Sequence, residues 1–126
     1  MKKKILIVSS NYYSEISSNL EKGSMDTLKE YGYLYDLINA PGCFEIPFII
    51  KKNIKNYIGF ISLGCIIKGE TYHFEVIANE TSRKIMDLSV DNKIPIGFGI
   101  LTCYNLNQAI VRSDTNQLNK GREAAL

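Results

Sequence analysis

The sequence predicts an α/β domain built on a parallel sheet, and three observations carry that expectation. Apolar runs of strand length alternate along the chain with longer segments whose apolar residues recur at helical spacing. Residues 60–67 form an isoleucine-rich apolar run, the pattern of a strand buried on both faces. Turn residues, Pro41-Gly42 and Gly69 among them, separate the two kinds of segment.

Residues 4–8 read as the first strand, and 14–31 as a helix with Ile16, Leu20, Gly23, Thr27 and Tyr31 on its inner stripe. A second strand follows at 34–39. The Pro41-Gly42 turn leads to a helix over 46–55, with Pro47 in the first turn, where a missing N–H is tolerated. The third strand covers 58–67. From Phe74 the period changes: Phe74, Ile77, Ala78, Thr81, Ile85 and Leu88 share one face of a helix that runs to about residue 90. Residues 95–101 form the fourth strand, and Leu106, Ala109 and Ile110 mark a fourth helix. The alternation predicts right-handed crossovers and a flavodoxin-like three-layer αβα sandwich around a four-stranded parallel sheet.

The 126 residues suit one domain spanning 1–126, long enough to bury about two thirds of its unfolded surface. Apolar residues make up 45% and charged residues 22%, with no repeat and no low-complexity segment. A net charge of +2, with basic residues scattered apart from Lys2-Lys3-Lys4 and Lys51-Lys52, argues against nucleic acid as a partner. The apolar run after the N-terminal lysines is too short for a signal-peptide core, and no segment reaches membrane length. Cys43, Cys65 and Cys103 are odd in number and lack a C-x-x-C pair, which fits a reducing cytoplasm and neither a disulfide framework nor a metal site.

In a sheet of this class ligands bind beyond the carboxyl ends of the strands. Ser9-Ser10-Asn11-Tyr12 follows the first strand and Ala40-Pro41-Gly42-Cys43-Phe44-Glu45 the second. After the third comes Lys68-Gly69-Glu70-Thr71-Tyr72-His73, where a glycine turn opens a helix. Unpaired N–H groups and the positive end of the helix dipole favour an anion at such a turn. His73, the only histidine, adds an acid/base that titrates near neutrality. Tyr12 and Phe44 offer ring faces to a planar heterocycle, and Glu45 with the backbone near Cys43 can bond its edge. Singly each has a plainer explanation: a structural histidine, an N-capping Thr71, core aromatics, a Glu45 that offsets a helix dipole. Together they point to an aromatic ligand beside an anion.

Several segments carry a resemblance. They are Ala40-Pro41-Gly42-Cys43-Phe44-Glu45-Ile46-Pro47; residues 64–73 with Asn79-Glu80; Pro95-Ile96-Gly97-Phe98-Gly99-Ile100-Leu101-Thr102; Gln108-Ala109-Ile110 with Arg112; and Asn119-Lys120-Gly121. In order and spacing the whole chain resembles the lumazine synthases of riboflavin biosynthesis. The resemblance implies a transferase that condenses 5-amino-6-(D-ribitylamino)uracil with 3,4-dihydroxy-2-butanone 4-phosphate to give 6,7-dimethyl-8-ribityllumazine, without cofactor or metal. It assigns Tyr12 to stacking on the pyrimidine, Cys43, Phe44 and Glu45 to its ribityl chain and ring edge, and Cys65, Ile66 and Ile67 to its backbone contacts. It assigns Gly69, Glu70 and Thr71 to the phosphate and His73 to proton transfer. Phe98, Arg112 and Lys120 are expected to enter from a neighbouring subunit, Arg112 on phosphate and Phe98 over the ring, in a homopentamer that either stands alone or joins a larger shell.

The chain departs from that family where Lys68 replaces a common arginine and Tyr12 a phenylalanine or tryptophan. Its first strand begins almost at Met1 and its last residue is Leu126, so an added N-terminal strand and a longer last helix are not expected. Three alternatives differ in chemistry: a flavin or lumazine binder without turnover, a thiol enzyme using Cys43 or Cys65, and an archaeal-type riboflavin synthase. His73 with Arg112 favours an enzyme over a binder, and the apolar surroundings of the cysteines oppose a reactive thiolate.

Overall fold

The computed structural model describes residues 4–68 and 73–125. Its elements in chain order are β1 (Lys4–Ser10), α1 (Ser14–Glu30), β2 (Leu34–Ala40), a 3-10 turn (Cys43–Glu45), α2 (Ile46–Lys52), β3 (Gly59–Ile67), α3 (His73–Asn92), β4 (Ile96–Cys103), α4 (Leu106–Ser113) and α5 (Lys120–Ala125). The sheet order is β2-β1-β3-β4, and every pairing is parallel. β1 and β3 occupy the centre, as their unbroken apolar runs require, because neither face of a central strand meets water.

Alternation along the strands divides the core in two. Leu6, Val8, Phe60, Ile66 and Ile100 face Ile46 and Ile50 of α2 and Ile85 and Leu88 of α3. Ile7, Ile61, Leu63, Cys65, Leu101 and Cys103 face Ile16, Leu20 and Leu28 of α1, Ala109 of α4 and Ala124 of α5. The three-layer α/β sandwich expected from the sequence is thus the fold observed.

Several boundaries moved, each for a local reason. β1 continues through Ser9 and Ser10, which pair with Asn39 and Ala40 of β2. Both serines are buried, and Ser9 Oγ donates to Glu21 Oε2 at 2.7 Å, so their polarity does not end the strand. Tyr31 is not on the inner stripe of α1 but 58% exposed, and Leu28 takes the buried place. The helix closes there in a Schellman motif: Gly32, at φ 78°, donates to the Lys29 carbonyl and Tyr33 to that of Leu28. α2 stops at Lys52, short of residue 55, because Asn53 turns its side chain back onto the Ile49 carbonyl at 2.8 Å.

The short α5 was not anticipated. It has no apolar stripe, and glycines seat it: a Cβ on Gly97 would strike the backbone of Ala124, and one on Gly121 that of Leu20. Ser24 Oγ of α1 donates to the Gly121 carbonyl at 2.7 Å and locks the contact. Among the described residues no helix is long and apolar enough to cross a membrane.

Candidate active site

The parallel register brings the carboxyl ends of β1, β2 and β3 to one edge of the sheet, and a cleft of about 330 Å³ opens there. Ser10 ends β1 as part of its wall, and Tyr12 and Tyr13 come from the loop into α1. Pro41, Gly42, Cys43, Phe44 and Glu45 follow β2, Cys65, Ile66 and Ile67 end β3, and Ile77 projects from α3. Gly64 makes the floor possible, since a side chain there would collide with Cys43 Sγ and hold the 3-10 turn away from the sheet. The cleft has an open aromatic rim, with Tyr12 74% and Phe44 54% exposed.

Tyr12, Cys43, Phe44, Glu45, Cys65, Ile66 and Ile67 all line this cleft. Gly69, Glu70 and Thr71 lie outside the described residues, as does the side chain of His73. The backbone of α3 begins at His73, six positions beyond the end of β3 at Ile67. Lys68 directly follows β3. Its N–H bonds the Cys103 carbonyl at 2.8 Å, and its ammonium lies 3.9 Å from Glu75 and 5.4 Å from the centre of the Tyr104 ring.

Phe98, Arg112 and Lys120 do not line this cleft. Phe98 stands half exposed on β4, and Lys120 pairs with Glu123 at 3.0 Å. Arg112 sits in the last turn of α4, where Nη1 donates to the Gln108 carbonyl at 3.2 Å. α4 itself is anchored by Asn105, whose side chain accepts from the Gln108 N–H at 2.9 Å, while Gln108 accepts from the Tyr104 N–H at 2.8 Å.

The thiols are poor nucleophiles. Burial pushes Cys43 up to about 11, against smaller opposing effects of hydrogen bonds to Ser10 and the Cys65 backbone. Burial, with Cys103 and Cys43 adding to it, pushes Cys65 up to about 12. Burial also raises Cys103, which the nearby Arg112 charge partly offsets. Both cleft cysteines therefore stay neutral at pH 7 and serve as small wall residues. Among the described residues, no group of three or more His, Cys, Asp and Glu side chains is arranged to hold a metal ion.

Sequence reading overlooked Tyr13 and Ile77 as cleft residues. Tyr13 packs edge-on against Tyr12, with ring centroids 5.0 Å apart and an interplanar angle of 80°. Its adjacency to Tyr12 was the only available signal. Which neighbour turns inward depends on the backbone path into α1.

A parallel α/β sheet with an aromatic-rimmed cleft past its strand ends is the arrangement in which folds of this class hold small molecules. The model of the family described as 6,7-dimethyl-8-ribityllumazine synthase matches residues 2–126. The chain belongs to that family. It is 44% identical to the 6,7-dimethyl-8-ribityllumazine synthase of Bartonella bacilliformis over 125 residues, covering 96% of this chain and 82% of the relative. The protein of that name from Bartonella tribocorum is 45% identical, with 99% and 86% covered. That from Novosphingobium aromaticivorans is 43% identical, with 97% and 88% covered.

Proposed function

We propose that the cleft beyond β1, β2 and β3 is the pyrimidine half of an active site whose phosphate half is completed by a neighbouring subunit. The enzyme is a transferase of riboflavin biosynthesis. It condenses 5-amino-6-(D-ribitylamino)uracil with 3,4-dihydroxy-2-butanone 4-phosphate to 6,7-dimethyl-8-ribityllumazine, releasing phosphate and water. One amine of the uracil condenses with the ketone and expels a first water to leave an imine. Elimination then releases phosphate and unmasks a second carbonyl, and attack of the other amine on that carbonyl closes the ring with loss of a second water. These steps call for orientation of two substrates, stabilisation of a departing anion and proton transfer near neutral pH.

In this reading Tyr12 stacks on the uracil, while Cys43, Phe44 and Glu45 hold its ribityl chain and ring edge. The strand end at Cys65, Ile66 and Ile67 reads the heterocycle through its backbone. Gly69, Glu70 and Thr71 bind phosphate with Arg112, and His73 moves protons. Phe98, Arg112 and Lys120 act in trans, in a cytoplasmic homopentamer. The observation that carries the reading is the cleft itself: seven residues named from sequence for the pyrimidine, from Tyr12 to Ile67, line one cavity. That Arg112 and Phe98 stand apart from it within one chain supports their supply by a neighbour.

The test is formation of lumazine absorbance from the two substrates, followed by titration of ribityllumazine into Tyr12→Ala and Glu45→Ala variants. Both should weaken it by about tenfold or more. Turnover with unchanged ligand affinity in both variants would move the pyrimidine elsewhere.

A further inference from the structure

We propose that Tyr13 determines specificity for the uracil substrate, its phenol hydroxyl donating a hydrogen bond to an acceptor oxygen of that molecule inside the cleft. The inference rests on the reading of this cleft as the pyrimidine site.

Four observations carry it. Tyr13 lines the cleft together with Ser10, Cys43 and Cys65. Its ring is partly buried against the core cluster that includes Cys65 and Cys103, so it is fixed by packing and by its edge-on contact with Tyr12. Its hydroxyl has no hydrogen-bond partner among the described residues, and the buried Cys65 and Cys43 thiols lie close enough to act on it electrostatically. Burial, followed by Cys65, Tyr12 and Cys43, raises its pKa, so the phenol remains a donor throughout the neutral range.

A ligand that fills the cleft expels the water available to this hydroxyl. One that presents an oxygen to it regains the bond, and one that does not leaves a donor unpaired in an apolar wall. That asymmetry discriminates between ligands more sharply than apolar contact does. The uracil substrate offers two kinds of acceptor, a ring carbonyl and the ribityl hydroxyls, and the ring faces of Tyr12 and Phe44 cannot satisfy either.

The test compares wild-type protein with Tyr13→Phe, which keeps the ring and deletes only the hydroxyl. Binding of 6,7-dimethyl-8-ribityllumazine and of 6,7,8-trimethyllumazine is followed by ligand fluorescence. Tyr13→Phe should weaken the ribityl compound about three- to tenfold. kcat should stay within about twofold, and KM for the butanone phosphate should not move, a split that general loosening of the fold would not produce. Equal loss for the trimethyl compound assigns the bond to a ring carbonyl, and no loss for it assigns the bond to the ribityl chain. Unchanged affinity for both compounds overturns the inference while leaving the cleft as the pyrimidine site. Failure of the wild-type protein to bind ribityllumazine overturns the reading of the cleft itself. If Tyr13→Phe does not fold, Tyr13→His, which retains a ring and a donor, replaces it: affinity within about threefold of wild type supports the bond, and a loss beyond about tenfold opposes it.

Discussion

At the scale of single residues, burial decides chemistry. Cys43 and Cys65 look like nucleophile candidates beside a histidine, yet their placement against the sheet keeps both thiols protonated. Alkylation by iodoacetamide at pH 7.5 should therefore leave turnover unaffected over the time in which a free thiol reacts fully. Rapid loss of activity would restore a thiol mechanism. The same shifts link stability to pH. An unfolded thiol ionises near pH 9, whereas Cys43 and Cys65 hold their protons to about 11 and about 12. The unfolded state then binds fewer protons than the folded state, so stability is full below pH 9 and falls through the window from about 9 to about 12. The loss is at most about 1.4 kcal/mol per pH unit for each thiol. Urea midpoints at pH 8 and pH 10.5 should differ, and Cys43→Ala should reduce the difference. For His73→Ala, positioning of two reactive substrates should preserve most of the rate, with loss at or below about a hundredfold. Complete inactivation of a folded protein would give His73 another role.

Elements matter through how they are seated. α4 carries Arg112 about two turns beyond its N-cap Asn105, and the cap made by Asn105 and Gln108 fixes where the helix begins. Asn105→Ala should cost about 1 kcal/mol in urea unfolding. If Arg112 grips phosphate, the same change should raise KM for the butanone phosphate and not for the uracil, less severely than Arg112→Ala. Arg112→Ala itself should weaken that substrate roughly ten- to a hundredfold, as loss of a charge-assisted bond predicts. Equal weakening of both substrates would make Arg112 structural. α5 depends on absent side chains. Gly97→Ala places a methyl group in the backbone of Ala124, so it should lower stability by about 1 to 3 kcal/mol. Gly32→Ala meets no atom within 4 Å and acts only through its positive φ. A smaller loss for Gly97→Ala than for Gly32→Ala in urea titration would contradict the packing account.

For the whole molecule, the proposed function has to bring separated groups into one reaction. Within a chain the cleft gathers Tyr12, Cys43, Phe44, Glu45 and the end of β3, while Phe98, Arg112 and Lys120 lie elsewhere. In the proposed ring of equivalent head-to-tail contacts, a group missing in cis would come from a neighbour. His73→Ala and Arg112→Ala chains, unfolded together and refolded, should form some interfaces with both residues intact. Activity should rise above that of either variant and above an unrefolded mixture. No recovery in assemblies shown by mass to be mixed would place both residues in one subunit's site.

The sequence by itself determined the α/β class, the order of strands and helices up to α4, and the strand-end loops that line the cleft. Each of these follows from local information: apolar runs without alternation make central strands, helical spacing makes amphipathic covers, and the parallel connections send strand-end loops to one edge. Only the tertiary structure decided three other things. Ser9 and Ser10 extend β1 because Glu21 of α1 and the β2 edge satisfy them, and neither partner is adjacent in sequence. α5 exists as a packed element because Gly97 and Gly121 let backbones meet at close range, a fit between distant positions that hydropathy does not encode. Tyr13 rather than Tyr12 turns toward the buried thiols because the backbone enters α1 at that residue, and the direction of a side chain at a helix entry is set by the path of the chain through space.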